Sequence, residues 1–285
     1  MESIGISRTA ALVCAARAIG ISSKERDPLA AMFIPARQAS TLDRFARDDL
    51  ATNTLRLTLR AATLGLVDHN TIRMLIVDDF LKHWTKDGCS QVVLLGAGLD
   101  ARSWRMGELA RLRVFELDRW KSQSEKAMRA TSLGAPQARV RFVPIDFERD
   151  RLDRVLLDAG FSTTEPTAWI AEGVTAYFAR DTTRRIFREA AAVSAPSSKF
   201  AVSYVTPPSG SSGWIARNVT RRLLSRWGEP LRGTLNAEEV QALVQEAGLR
   251  ILDDLDWNAW RRSAAISTRL PNLLKERLMI ASKGE

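Results

Sequence analysis

The sequence is poor in the residues that bind soft metals or cross-link a chain. It holds two cysteines, Cys14 and Cys89, and two histidines, His69 and His83, in 285 residues. Cysteines this far apart form no zinc-finger spacing, and a lone structural disulfide does not suit a reducing compartment. A His/Cys metal centre is therefore excluded, an all-oxygen site survives on counts alone, and no metal is expected. Long apolar runs are lacking too: none approaches the roughly 20 residues that span a bilayer. The longest early run, Ala10–Ala16, ends at Arg17 and reads as an amphipathic helix rather than a signal-peptide core. A cytoplasmic protein with no membrane partner is the expectation.

What is present describes a folded enzyme-sized chain. Apolar residues make up 45% and charged residues 26%, enough to bury one large domain or a domain with a cap, and unlike disordered, collagenous or disulfide-framed proteins. Lysine and arginine outnumber acids 42 to 33, a net charge of +9. Such an excess invites nucleic acid, but the bases are interleaved with acids, as in Glu148-Arg149-Asp150-Arg151. The one concentration, Arg217, Arg221, Arg222 and Arg226, falls on one helical face and reads as solvated. No nucleic-acid motif accompanies it, so no nucleic-acid partner is expected and an anionic small ligand serves as well.

Residues 1–88 read as helices. Leu12, Ala15, Ala16 and Ile19 recur at helical spacing, Leu42 to Leu59 continue an apolar face through Leu50, Leu55 and Leu57, and Leu75, Ile76, Phe80 and Leu81 form another. Breaks are expected at Asp27-Pro28, Ile34-Pro35 and Gly65 through Asn70. From residue 89 the texture changes. Val92-Val93-Leu94-Leu95 is a buried-strand run ending at Gly96-Ala97-Gly98, and further strands are expected near 113–117, 140–143, 168–170 and 200–205. Helices at 120–131, 152–157, 182–193 and 237–247 separate them, which predicts a parallel α/β sheet with right-handed crossovers. Two late strands, near 249–255 and 277–281, close it, one of them antiparallel. The Pro207-Pro208-Ser209-Gly210 stretch opens a loop near 206–230 that is expected to act as a lid over the crevice.

Gly96-Ala97-Gly98-Leu99-Asp100-Ala101 fits the nucleotide fingerprint G-x-G-x-x-G/A. Glycine permits the tight strand-to-helix turn and lets backbone lie against a ligand. Asp118 stands twenty residues past Gly98, at the end of the next strand, where a carboxylate can accept both hydroxyls of a ribose. Glu116 shares its face by alternation, and Asp100 reads as a helix N-cap. This pattern fits a dinucleotide and S-adenosyl-L-methionine alike, although a helical preface of about 90 residues is unusual for a dinucleotide enzyme.

Beyond the glycine loop, the chain resembles the leucine carboxyl methyltransferase superfamily in its bacterial S-adenosylmethionine-dependent branch. The resemblance is carried by Ser7-Arg8-Thr9-Ala10, Asp27-Pro28, Arg73 with Asp78-Asp79-Phe80, Gln91 through Arg102, and Phe115-Glu116-Leu117-Asp118. Val143 through Phe147, Pro166 through Gly173 and Tyr177-Phe178 complete it. The resemblance implies a doubly wound, Rossmann-like class I methyltransferase sheet with an N-terminal helical cap, and S-adenosyl-L-methionine as cofactor. It further implies that Arg73 pairs with the methionine carboxylate, aided by Arg17, while Gly96, Ala97 and Gly98 approach the cofactor and Asp118 holds the ribose. Asp146 and Phe147 would take the adenine, and Glu172 the methionine amino group. Relatives carry an Arg-Thr-Arg-Tyr-like run where this chain has Thr71-Ile72-Arg73-Met74, so only the second arginine is kept.

The implied function is methylation of a small acceptor of secondary metabolism, aromatic or peptide-derived. The acceptor atom is a hydroxyl or carboxylate oxygen, or a carbon such as indole C3. An NAD(P)-dependent oxidoreductase and a non-catalytic nucleotide-binding protein of the same fold are the alternatives; a homo-oligomer is compatible with either. Tyr204, Glu172 and Tyr177 are the candidate catalytic groups at strand ends, while His69 reads as a surface or loop histidine. Trp214, Trp257 and Trp260 are candidates to stack on an aromatic substrate.

Overall fold

The computed structural model describes residues 7–34, 36–207, 232–268, 270 and 275–284. Four helices precede the sheet: α1 (Arg8–Ile19), α2 (Ala36–Leu42), α3 (Leu50–Ala62) and α4 (Leu66–Lys86). Ser7 caps α1 by accepting from the N–H of Ala10 (3.0 Å), and Asp49 caps α3 through Thr52 (2.7 Å). The break expected over 65–70 falls instead at residues 63–65. Gly65 takes φ 83°, and α4 begins immediately after it, so His69 and Asn70 lie inside the helix. On α3 the expected apolar face divides: Leu55 and Leu59, one turn apart, pack on the cap cluster, whereas Leu50 and Leu57 face solvent.

Seven strands follow: β1 (Gln91–Leu95), β2 (Arg113–Asp118), β3 (Arg139–Pro144), β4 (Thr167–Ala171), β5 (Lys199–Val205), β6 (Leu249–Leu255) and β7 (Glu276–Lys283). Their order is β3-β2-β1-β4-β5-β7-β6, parallel except for the β7 pairings. Among the described residues of this half there are six helices: α5 (Arg102–Arg105), α6 (Trp120–Ala130), α7 (Leu152–Asp158), α8 (Arg180–Val193), α9 (Ala237–Glu246) and α10 (Trp257–Ser263). Both sheet faces are covered, so strand residues alternate between two cores rather than between core and water. Val93, Leu95, Phe115 and Trp169 join a cluster with Leu156, Phe187 and Leu243. Val92, Leu94, Val114 and Ile170 join another with Ile72, Ile76 and Leu81 of α4. The cap has its own cluster, in which Phe33, Phe45 and Cys14 meet Trp104 and Leu99 of the sheet half.

The strand order reverses between β1 and β4, and a ligand crevice opens beyond the carboxyl ends at such a point. Leu95 is in register with Ala171, so Gly96 and Glu172, the next residue of each strand, emerge side by side. Most of the expected lid, with Trp214 and the four-arginine face, lies outside the described residues.

Candidate functional site

The crevice is a cavity of about 300 Å³. Its wall is built from α1 (Thr9, Ala10, Val13, Arg17), α4 (Arg73), the glycine loop, the end of β2 (Asp118), Phe147, and the segment after β4 from Glu172 to Phe178. The loop turns where the sequence placed it. Gly96 and Gly98 take φ 67° and 48°, and a Cβ on Gly96 would stand 2.5 Å from Val174 Cγ2. Asp118 braces the loop: its Oδ2 accepts the N–H of Gly98 (2.7 Å) and its Oδ1 that of Arg119 (2.7 Å). Burial raises its carboxyl above the ordinary value, against those N–H bonds. Each oxygen retains acceptor capacity toward the cavity.

Glu172 is the electrostatic centre. Its Oε1 accepts from Arg17 Nη2 and from Arg73 Nε (2.9 Å), and its Oε2 from Arg102 Nη1 (2.8 Å). Burial alone would raise this carboxyl, but Arg17, Arg102 and Arg73 override it and hold it well below the carboxylate range. The cluster continues through Arg102 to Asp78 (2.6 Å) and Asp100 (2.5 Å), and through Arg105 to Asp78 and Asp27. Asp100 also accepts the N–H of Arg102 (2.8 Å), but from one position before Ala101, which is the N-cap residue of α5, so it is not the N-cap expected of it. Reading the sequence missed this network because its members lie up to 155 residues apart. A partial signal was there, since Asp78 and Arg102 fall in the segments that carried the resemblance.

Two arginines keep donors for a ligand. Arg17 lines the cavity and its buried Nε has no partner among the described residues. Arg73 commits three of its five N–H groups, to Glu172, Glu276 (2.5 Å) and Asn70 (3.1 Å), leaving two. A zwitterionic amino-acid end meets both of its needs here: guanidinium N–H for a carboxylate and Glu172 for an ammonium. The Asp118 carboxylate, the positive-φ loop and these donors fit S-adenosyl-L-methionine.

The dinucleotide alternative finds no such fit. A diphosphate needs the open N-terminus of a helix after the glycine loop. Here the loop leads into four-residue α5, and the Asp100 carboxylate already occupies the Arg102 N–H.

Other expected residues are placed elsewhere. Tyr204 is not in the cavity wall. Its buried hydroxyl donates to Asp254 (2.8 Å) and accepts from Arg277 Nε (3.1 Å), while burial and Asp254 push its pKa up. Such a group is neither exposed to substrate nor poised to give up its proton. Ion pairing likewise removes Glu172 as a general base. Tyr177 does line the cavity, half-buried, beside Phe178. Phe147 is in the wall but Asp146 is not; its Oδ1 accepts the N–H of Glu148 (3.0 Å). Glu116 is not in the cavity wall and is buried against Lys126 (2.5 Å) and Ser103 (2.7 Å). His69, expected at the surface, is buried, with Trp257 and Trp260 packed on its ring at 5.8 and 5.4 Å. Those tryptophans are thus used within the fold rather than on a substrate.

The fold is that of class I S-adenosylmethionine-dependent methyltransferases. The family model for leucine carboxyl methyltransferase matches residues 10–191, and the chain belongs to that family. It is 33% identical over 223 residues, 77% of this chain and 70% of the relative, to a Mycobacterium tuberculosis protein named "Putative S-adenosyl-L-methionine-dependent methyltransferase". A Mycolicibacterium paratuberculosis protein of the same name is 33% identical over 240 residues, 80% and 74% of the two chains. Among solved structures, a DUF574 family protein from Streptomyces avermitilis superposes with TM-score 0.57 at 18% identity, covering 82% of this chain and 91% of that one. A "putative methyltransferase" from Thermobifida fusca gives TM-score 0.59 at 14% identity, covering 84% and 90%. The protein is an S-adenosylmethionine-dependent methyltransferase. Among the described residues no helix is long and apolar enough to cross a membrane, and no group of three or more His, Cys, Asp or Glu is placed to hold a metal.

Proposed function

We propose that the enzyme methylates a small aromatic or peptide-derived metabolite, at a hydroxyl or carboxylate oxygen or at an electron-rich carbon such as indole C3. The observation that carries this reading is the composition of the cavity wall. Phe147, Tyr177, Phe178, Val13 and Val174 give it apolar and aromatic members, while Arg17, Arg73, Asp100 and Glu172 form an ion-paired group and Asp118, Arg119 and Arg232 add further charge.

In this reading the cofactor supplies an activated methyl on a sulfonium, and the chain supplies placement. Asp118 and the glycine loop hold the ribose, with Gly96, Ala97 and Gly98 giving close approach. Phe147 covers the adenine, and Asp146, one residue earlier and two past the end of β3, receives its exocyclic amine once the carboxylate turns inward. Arg17 and Arg73 share the methionine carboxylate, and Glu172 takes the ammonium. The helical cap, residues 1–88, closes the cofactor site through α1 and α4 and borders the acceptor. Catalysis then rests on holding the acceptor atom about 3 Å from the methyl, opposite sulfur, in a site with little water. Tyr177 is the remaining candidate to accept or orient an acceptor proton.

The test is methyl transfer from labelled cofactor to a panel of phenols, carboxylic acids and indoles. Label is expected on one of these classes, with Tyr177→Phe lowering kcat by on the order of a hundredfold if the acceptor is a hydroxyl. Transfer only to protein or nucleic acid would overturn the reading.

A further inference from the structure

On α4, Asn70 and His69 precede Arg73 by three and four residues, so both side chains neighbour it. Glu276 comes from the other end of the chain. It is the first residue of β7 and pairs with Val205, the last of β5. Because β7 runs antiparallel, its beginning lies at the carboxyl end of the parallel strands, where the site is. Glu276 lies outside the residues matched by the family model, 10–191.

One oxygen of Glu276 joins the two helix residues. Oε2 accepts from Arg73 Nη1 (2.5 Å) and from His69 Nε2 (2.6 Å). Arg73 holds Glu276 ionised, lowering its carboxyl to about 2 against the effect of burial. An ionised carboxylate only accepts, so His69 donates through Nε2. Its other nitrogen, Nδ1, is buried with no partner among the described residues, and its ring is fixed by Trp257 and Trp260. The bond to Glu276 is therefore the ring's one described polar role.

We infer that His69 and Glu276 are positioning residues: through Arg73 they set the orientation of the guanidinium that grips the methionine carboxylate of the cofactor. Glu276 and Glu172 hold Arg73 from Nη1 and Nε, Asn70 from Nη2, and the two remaining N–H groups are thereby aimed. Gly173 leaves room for the arrangement, since a Cβ there would stand 3.2 Å from Arg73 Nη2. His69 acts at one remove, fixing the carboxylate that fixes the arginine. The inference rests on the assignment of Arg73 proposed above.

The test compares two ligands by calorimetry: S-adenosylhomocysteine, and 5′-methylthioadenosine, which has the adenosine and thioether but no amino-acid end. Wild type is expected to prefer the first, and Arg73→Met to lose that preference. His69→Leu and Glu276→Gln should weaken S-adenosylhomocysteine by on the order of tenfold and leave 5′-methylthioadenosine unchanged. His69→Gln, whose amide can still donate to Glu276, should recover most of the loss. A merely structural role would lower both affinities together, and that result, or no change in either, overturns the inference while Arg73→Met still discriminates. If Arg73→Met keeps the wild-type preference, the Arg73 assignment itself fails and the inference fails with it.

Discussion

A carboxylate with three guanidiniums on its two oxygens cannot serve as a proton acceptor, and Glu172 is such a group. Its effect is on the arginines. Removing one member of a buried ion cluster leaves the others uncompensated, at about 3–5 kcal/mol. Glu172→Gln should therefore lower unfolding stability by several kcal/mol, read as an earlier urea midpoint with an unchanged slope. Asp118 makes a different case, because its internal partners are backbone N–H groups and the Ser122 hydroxyl rather than charges. A ligand at a hundred times its dissociation constant adds about 2.7 kcal/mol of stability. Asp118→Ala should lose most of that gain with S-adenosylhomocysteine, measured as a vanishing thermal shift. If the shift persists at the wild-type size, the ribose assignment is wrong.

At the level of elements, the apolar run of β1 followed by two glycines was readable because both demands are local: burial on two faces, then positive φ. The strands at 113–118, 167–171 and 199–205 were readable for the same reason. What stands against the loop was not local. Val174 arrives from beyond β4 and fills the space a Gly96 side chain would need. Gly96→Ala thus meets two penalties, a left-handed φ of 67° and a 2.5 Å approach to Val174 Cγ2. Gly98→Ala meets the strained φ of 48° but only an ordinary 3.6 Å contact with Ala10. Gly96→Ala should be the more destabilising, by about 1–3 kcal/mol from the clash alone. Adding Val174→Ala should recover part of it, because the conformational strain remains. Equal melting temperatures for the two glycine variants would contradict this packing.

Across the whole molecule, the sequence revealed the sheet, the glycine loop and Asp118, but not how the cap is joined to the core. That joint is apolar where Phe33 meets Trp104 and α4 packs on the sheet, and its ionic part is non-local: Arg17 to Glu172, Asp27 to Arg105, and Arg73 to Glu276 are pairs that no spacing rule connects. Its acids give a signed pH dependence. Glu276 falls from its ordinary 4.5 to about 2, and Glu172 and Asp100 are also depressed by their arginines despite burial. The unfolded chain therefore binds more protons between about pH 4.5 and 2, so stability conferred by these groups is complete above that window and lost as pH falls through it. Asp118 and Glu116, raised by burial, oppose the trend, favouring the fold until they ionise. Glu276→Gln should flatten the acid slope of the urea midpoint. The same joint predicts what a ligand does at a distance. The cavity wall draws residues from α1, α4, the β1 loop and the segment after β4, so a bound cofactor must restrain the cap against the sheet, whereas β6 and α9 contribute nothing to that wall. Local opening of the wall elements is then suppressed by ligand binding, up to the hundredfold that 2.7 kcal/mol represents. Hydrogen exchange with S-adenosylhomocysteine present should slow in α1 and in 172–178 and leave the locally opening amides of β6 and α9 unchanged. Uniform slowing over all four would mean that these amides exchange only through global unfolding, and that cap and sheet open as one unit.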